Sequence, residues 1–215
     1  MREAHNERSE LLYDVLEYLK VLLDMYSDSL HDVIFADFLH SVKLHVSVER
    51  IVEEAKELQR GSESVLVSNE GGYQSPRYNE KGTGHRALDE LAGACRSYAT
   101  LFTRDTFKLD TDPSIDWWMN ISSEGAFNVP HNHGRTDLCG IYFAKVPDGA
   151  GPLILQRNDG SMYTGLFRHT VMGEEATIYP EEGRFYLFPG HVWHSVGHSS
   201  CVEDRISFSF NFRVL

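Results

Sequence analysis

Arg205-Ile206-Ser207-Phe208-Ser209-Phe210-Asn211-Phe212-Arg213-Val214 alternates between polar and apolar residues along its whole length. Successive side chains of a strand point to opposite faces. Ile206, Phe208, Phe210, Phe212 and Val214 therefore share one face, and Arg205, Ser207, Ser209, Asn211 and Arg213 share the other. The apolar face must be buried. The polar face admits two readings: an outer surface wetted by solvent, or the lining of an interior cleft.

Seven more short strand-like runs precede this one, near Trp117–Ser122, Phe127–His133, Leu138–Val146, Leu153–Gln156, Thr177–Tyr179, Arg184–Phe188 and Val192–Val196. Turn-formers separate them, among them Gly125, Gly134, Asp148-Gly149, Asp159-Gly160, Glu182-Gly183 and Pro189-Gly190. Eight short strands at this spacing predict a jelly roll.

The first half reads as helical. Leu11, Leu12, Val15, Leu16, Leu19, Leu22, Leu23 and Tyr26 form an i, i+3/i+4 stripe, expected to pack against the domain or against a second copy in a homodimer. Val33–Leu39 reads as a short strand. A helix is expected over Val48–Gln59, with Ser47 as N-cap and Gly61 as the stop. Another is expected over Arg86–Phe102. The intervening Ser68–Gly84, with Gly71-Gly72 and Ser75-Pro76, reads as a loop, either a plain connection or a lid over a cleft. The fold class is thus α+β with a mainly β core and helices packed on it.

Composition narrows the function. The 215 residues carry a formal charge of −12, which disfavours nucleic acid and anionic membranes as partners. No apolar run approaches a membrane span, and Met1-Arg2-Glu3-Ala4-His5 does not read as a signal peptide. Cys95, Cys139 and Cys201 are odd in number and far apart, so free thiols and a cytoplasmic location are expected.

Histidine is the unusual entry in the composition. There are 11, and six fall between His131 and His198. His131 and His133 lie two apart in Phe127-Asn128-Val129-Pro130-His131-Asn132-His133, so an extended chain aims both imidazoles to one side. Two imidazoles at one strand end can grip one metal ion, and His194 is the best third ligand, with His191 and His198 as rivals. If the polar face of the last strand turns inward, Arg205 and Ser207 sit side by side near this set. A guanidinium fork with a hydroxyl suits a carboxylate. Asn120 and Asn128 are further candidate contacts for such a ligand. Trp117 and Trp118 read first as packing, Arg157 as a solvated turn residue, and Cys139 as a small buried residue.

Together these residues resemble the Fe(II)/2-oxoglutarate oxygenases. One uncharacterised branch is matched more closely, through Ser68-Asn69-Glu70-Gly71-Gly72-Tyr73-Gln74-Ser75, Trp118-Met119-Asn120-Ile121-Ser122, Gly125-Ala126-Phe127-Asn128, Pro130-His131-Asn132-His133, Leu138-Cys139-Gly140-Ile141-Tyr142-Phe143 and Glu203-Asp204-Arg205-Ile206-Ser207. The resemblance covers residues 33–213, with residues 1–32 as a helical extension outside the oxygenase domain 33–215. It implies a double-stranded β-helix (a cupin-like jelly roll) that holds Fe(II) and uses 2-oxoglutarate and O2. By that mapping His131 and His194 are ligands, Arg205 pairs with the distal carboxylate of 2-oxoglutarate, and Ser207 assists it. Asn120 and Asn128 are assigned to the same co-substrate or to the substrate. His133 stands where many relatives carry Asp or Glu. It is expected to be the third ligand; water or Asp137 are the alternatives. Phe143 stands where relatives often have Tyr, and Cys139 where this branch often has Ser.

The expected activity is hydroxylation of a small molecule, amino acid or peptide, with release of succinate and CO2. Two alternatives remain: a cupin-like metal-dependent dioxygenase that uses no 2-oxoglutarate, and a non-catalytic metal-binding module.

Overall fold

A computed structural model describes residues 37–156 and 175–214, which lie in one unit beginning at Asp37. The helix expected over Leu11–Tyr26, the homodimer reading built on it, and Arg157 fall outside the described residues.

The described elements in chain order are β1 (His40–Lys43), α1 (Val48–Gly61), β2 (Asn69–Glu70), β3 (Tyr73–Gln74), α2 (Arg86–Phe107), β4 (Ser114–Ser122), β5 (Phe127–His131), β6 (Leu138–Lys145), β7 (Leu153–Gln156), β8 (Glu175–Ile178), β9 (Arg184–Pro189), β10 (Trp193–Val196) and β11 (Arg205–Arg213). The strands form two antiparallel sheets, with orders β1-β9-β6-β11-β4-β3 and β2-β5-β10-β7-β8. From β4 to β11, successive strands run four in one sheet and four in the other in the interleaved order of a jelly roll. This is the double-stranded β-helix.

The alternation of β11 is resolved by the layers on either side of it. Ile206, Phe208, Phe210 and Phe212 are buried with Phe185, Tyr142, Trp117 and Met119 under the apolar faces of α1 and α2. Those helices contribute Ile51, Ala55 and Leu58, and Leu88, Leu91 and Cys95. Each buried Phe of this layer contributes on the order of 1.5–3 kcal/mol relative to an exposed one. Gly140 lets Phe185 and Phe212 approach the sheet: a Cβ there would sit 2.5 Å from the Phe185 ring and 3.1 Å from Phe212. The opposite face of the same sheet meets the second sheet, through Cys139, Ile141, Phe143, Tyr186 and Phe188 against Leu153 and Leu155. Arg205, Ser207, Ser209 and Asn211 therefore face the inter-sheet interior, the second of the two readings of that face.

Several boundaries differ from the sequence reading. The strand expected over Val33–Leu39 is displaced: residues 37–39 are irregular, strand begins at His40, and residues 33–36 lie outside the described residues. Gly61 is not the stop of α1; it is the last helical residue, and the Ser62 hydroxyl closes the end by donating to the Leu58 carbonyl at 2.9 Å. Ser47 occupies the N-cap position without a side-chain cap bond. α2 runs five residues beyond Phe102, to Phe107, and ends where Lys108 turns left-handed (φ 59°). The Ser68–Gly84 loop is stitched into both sheets, because Asn69 and Glu70 pair with β5 while Tyr73 and Gln74 pair with β4. Gly72 permits that tight crossing, since a Cβ would come 2.6 Å from the Ile121 carbonyl. No described helix is long and apolar enough to cross a membrane.

Candidate metal centre

His131 ends β5 and His194 lies in β10, and the register of these two strands sets them directly opposite each other. Their ring centroids are 4.4 Å apart. His133 arrives by a different route from the one expected. β5 stops at His131, so strand alternation does not aim His133. Instead its backbone is fixed in a turn, with its N–H donating to Gly190 at 2.9 Å and its carbonyl accepting from Thr136 at 2.8 Å. Its ring lies 5.2 Å from that of His131 and 5.0 Å from that of His194. One ligand nitrogen from each of the three comes within 4.8 Å of the other two, a spacing at which modest ring rotation lets them share one ion at bond lengths of about 2.1 Å.

The protonation state of each imidazole follows from its neighbours. His131 Nδ1 lies 2.7 Å from the Val129 carbonyl, and His194 Nδ1 lies 3.0 Å from the Val192 carbonyl. A carbonyl only accepts, so both Nδ1 atoms carry the proton and both Nε2 lone pairs are left for a ligand role. His133 Nδ1 faces Asn211 Oδ1 at 2.5 Å, with the same consequence. Burial keeps all three rings neutral. It lowers the pKa of His131, takes His133 down to about 4, and takes His194 down to about 3, with the neighbouring imidazoles adding to the depression in the last two. Three neutral imidazoles with fixed tautomers and converging lone pairs fit a divalent first-row metal ion.

Arg205 shares the cavity with this set, as do Ser207, Ser209, Asn120, Asn128, Ser68, Trp118, Phe143 and Phe188. Its side chain is 1 % exposed. Nη2 donates to Ser122 Oγ at 2.9 Å and Nη1 to the Gly151 carbonyl at 3.2 Å, while Nε has no partner among the described residues. Burial brings its pKa down to about 10, so the group is still a cation at neutral pH. No carboxylate pairs with it among the described residues. An unpaired buried guanidinium is costly, and an anion in the cavity would relieve both the charge and the orphaned N–H. An anion bound at Arg205 would lie in the same cavity as the three imidazoles.

The remaining candidates separate cleanly. His191 is exposed and pairs with Asp37 at 2.7 Å. The His198 ring packs at a tilt against Phe127, centroids 4.3 Å apart. Asp137 accepts the Val214 N–H at 2.7 Å and is not in the three-residue group. Asn120 donates to Ser209 Oγ at 3.2 Å and Asn128 to Ser68 Oγ at 3.3 Å, and both side chains line the cavity. Trp117 is core, whereas Trp118 forms part of the cavity wall 5.6 Å from the His133 ring. Cys139 is buried beside His133, Sγ to Nδ1 3.1 Å, and burial pushes its thiol pKa up. Ser68, Ser209 and Phe188 line the cavity as well, beyond the residues that the sequence points to. Ser209 shares the polar face with Ser207 and was the one with a readable signal.

The buried imidazoles make the metal-free protein acid-sensitive. In the unfolded chain a histidine protonates near pH 6.5, whereas His133 and His194 stay neutral in the fold down to about 4 and about 3. Between those limits the unfolded chain binds more protons, so stability rises with pH there. The stabilising contribution is complete above about pH 6.5 and is lost as the pH falls. Thermal unfolding of metal-free protein at pH 7.5 and 4.5 should show a lower midpoint at the acid value, and His194→Asn should shrink that difference.

Comparison with known proteins follows the same lines. Residues 116–211 match the family model described as "Putative 2OG-Fe(II) oxygenase". No curated protein matches the chain. Among solved structures, a Pseudomonas putida prolyl-4-hydroxylase superposes with a TM-score of 0.61 at 14% identity, covering 92% of this chain and 99% of that one. A Trichoplax adhaerens prolyl hydroxylase, in complex with a peptide fragment of the hypoxia inducible factor oxygen degradation domain, gives 0.59 at 14% identity, covering 81% and 82%. The epimerase SnoN, in complex with Fe3+, alpha ketoglutarate and nogalamycin RO, gives 0.59 at 16% identity, covering 83% and 79%. At such identities these likenesses speak for the fold.

Proposed function

We propose that this chain, whose residues 116–211 match the family model described as "Putative 2OG-Fe(II) oxygenase", is an oxygenase of that family and holds Fe(II) through His131, His133 and His194. In this reading it binds 2-oxoglutarate with Arg205 and Ser207 at the distal carboxylate, and it oxidises a small-molecule, amino-acid or peptide substrate. The observation that carries the proposal is one cavity containing three fixed neutral imidazoles and one buried guanidinium with no carboxylate partner among the described residues. Bound Fe(II), 2-oxoglutarate and O2 supply the oxidising chemistry, with succinate and CO2 as co-products.

The chain's own residues bind, orient and exclude. Arg205 offers its orphaned Nε–H and its charge to the far carboxylate, and Ser207, next on the same face of β11, adds a hydroxyl. Asn120 and Asn128, already tied to Ser209 and Ser68, present fixed amides to the co-substrate or substrate. Phe143 and Phe188 make the wall apolar, which keeps water from competing for those bonds. Hydroxylation is the reading preferred for the outcome. Both a peptide and nogalamycin RO appear with similar folds, so substrate pools should span peptides and small metabolites. The test is succinate formation from 2-oxoglutarate in the presence of Fe(II) and O2, screened across such pools. A pool that stimulates succinate release supports the proposal; none doing so, with iron bound, counts against it.

That no carboxylate joins the three-imidazole group among the described residues favours one second reading, a metal-dependent dioxygenase that binds its substrate directly. That reading expects O2 consumption to survive Arg205→Met.

A further inference from the structure

His133 differs from the other two imidazoles in what holds it. His131 and His194 each use the carbonyl two residues earlier, a local device. His133 Nδ1 meets the side-chain oxygen of Asn211, on β11, at 2.5 Å, with the weaker Cys139 Sγ farther off at 3.1 Å. Asn211 lies opposite Asp116 in the β11–β4 register, and its Nδ2 donates to Asp116 Oδ2 at 2.9 Å. Asp116 is held in turn by Arg213, 2.5 Å from Oδ1, and by Arg77, 3.4 Å from Oδ2. Each step in this chain forces the next. Both oxygens of the Asp116 carboxylate serve as acceptors here, from Arg213, Arg77 and Asn211, so Asn211 turns its NH2 toward it. The Asn211 carbonyl oxygen must then face His133. That oxygen only accepts, so His133 must carry its proton on Nδ1 and leave Nε2 free.

Resting on the metal-centre reading above, we propose that Asp116 and Asn211 are positioning residues that convert His133 into a metal ligand by fixing its tautomer through the Asp116–Asn211–His133 chain. A carboxylate, Asp116, stands one amide away from the three-imidazole set. It polarises the amide, and the amide polarises the imidazole, which raises the ligand's basicity.

The test uses full-length protein, metal-free and titrated with Co(II) followed by visible absorption, together with nitrogen NMR of the imidazole tautomers. In wild type, His133 should be protonated at Nδ1 and Co(II) should bind at one site. Asp116→Asn frees Asn211 to turn its amide either way. Co(II) affinity should then fall by about 10–100-fold with a changed visible band, and His133 should populate the other tautomer. Arg213→Met leaves the carboxylate in place and should stay within about 5-fold of wild type. Unchanged affinity and tautomer in Asp116→Asn would overturn the relay alone, and so would equal losses in both variants. An Nε2-protonated His133 in the wild-type protein would overturn it without any variant having to fold. Failure of wild type to bind Co(II) would overturn the metal-centre reading and the relay with it.

Discussion

Arg205→Met is expected to weaken 2-oxoglutarate-dependent turnover through a raised KM while leaving the metal-free protein as stable as wild type, or more so. The two effects have one cause. Arg205 is a cation with 1 % exposure, two hydrogen bonds to neutral groups, and an Nε with no partner among the described residues. Replacing a poorly compensated buried charge by an apolar side chain of similar volume is commonly neutral or stabilising. Losing the partner of a buried carboxylate costs about 2–5 kcal/mol, so the KM for 2-oxoglutarate should rise by about 30-fold or more. Arg205→Lys keeps the charge without the fork and should fall between the two. Steady-state succinate assays and thermal unfolding of the same three proteins check this. A less stable Arg205→Met with an unchanged KM would make the residue a structural one.

His194→Ala should remove metal binding and turnover together. His194 is 4 % exposed and faces His131 across the β5–β10 pair, so the substitution takes one of three converging donors and leaves an imidazole-sized void. Residues behind the ligands are worth about 10–100-fold in metal affinity; a ligand itself should cost more than that. Exogenous imidazole, small enough for the void, should restore part of the binding. His191→Ala is the matched control. Its exposed ring pairs with Asp37 away from the cluster, and metal affinity should not change. Equilibrium dialysis with Fe(II) under anaerobic conditions reads both.

These expectations rest on features that the sequence disclosed unevenly. The eight strands from β4 to β11 were legible because period-2 patterning and turn residues are local signals. β2 and β3, two residues each, were not, because a pairing that short leaves no periodicity. The alternation of β11 showed two faces but not which layer covered each, since that is decided by helices α1 and α2, far earlier in the chain. For the site, the spacing of His131 and His133 was visible. The choice of His194 over His191 and His198 needed the register that sets His194 opposite His131. His133 was expected to reach the site by strand alternation, and instead it is placed by a turn and by Asn211. Asp116 and Asn211 could not be read as a pair, because only the β4–β11 register brings them together.

The central claim is that the imidazole set and Arg205 together bind Fe(II) and 2-oxoglutarate. Anaerobic titration of the metal-free protein with Fe(II) and then 2-oxoglutarate tests it most directly. A visible charge-transfer band should develop with one equivalent of each in wild type, and should be absent from Arg205→Met at the same 2-oxoglutarate concentration. No band in wild type, or the same band in Arg205→Met, would contradict the account.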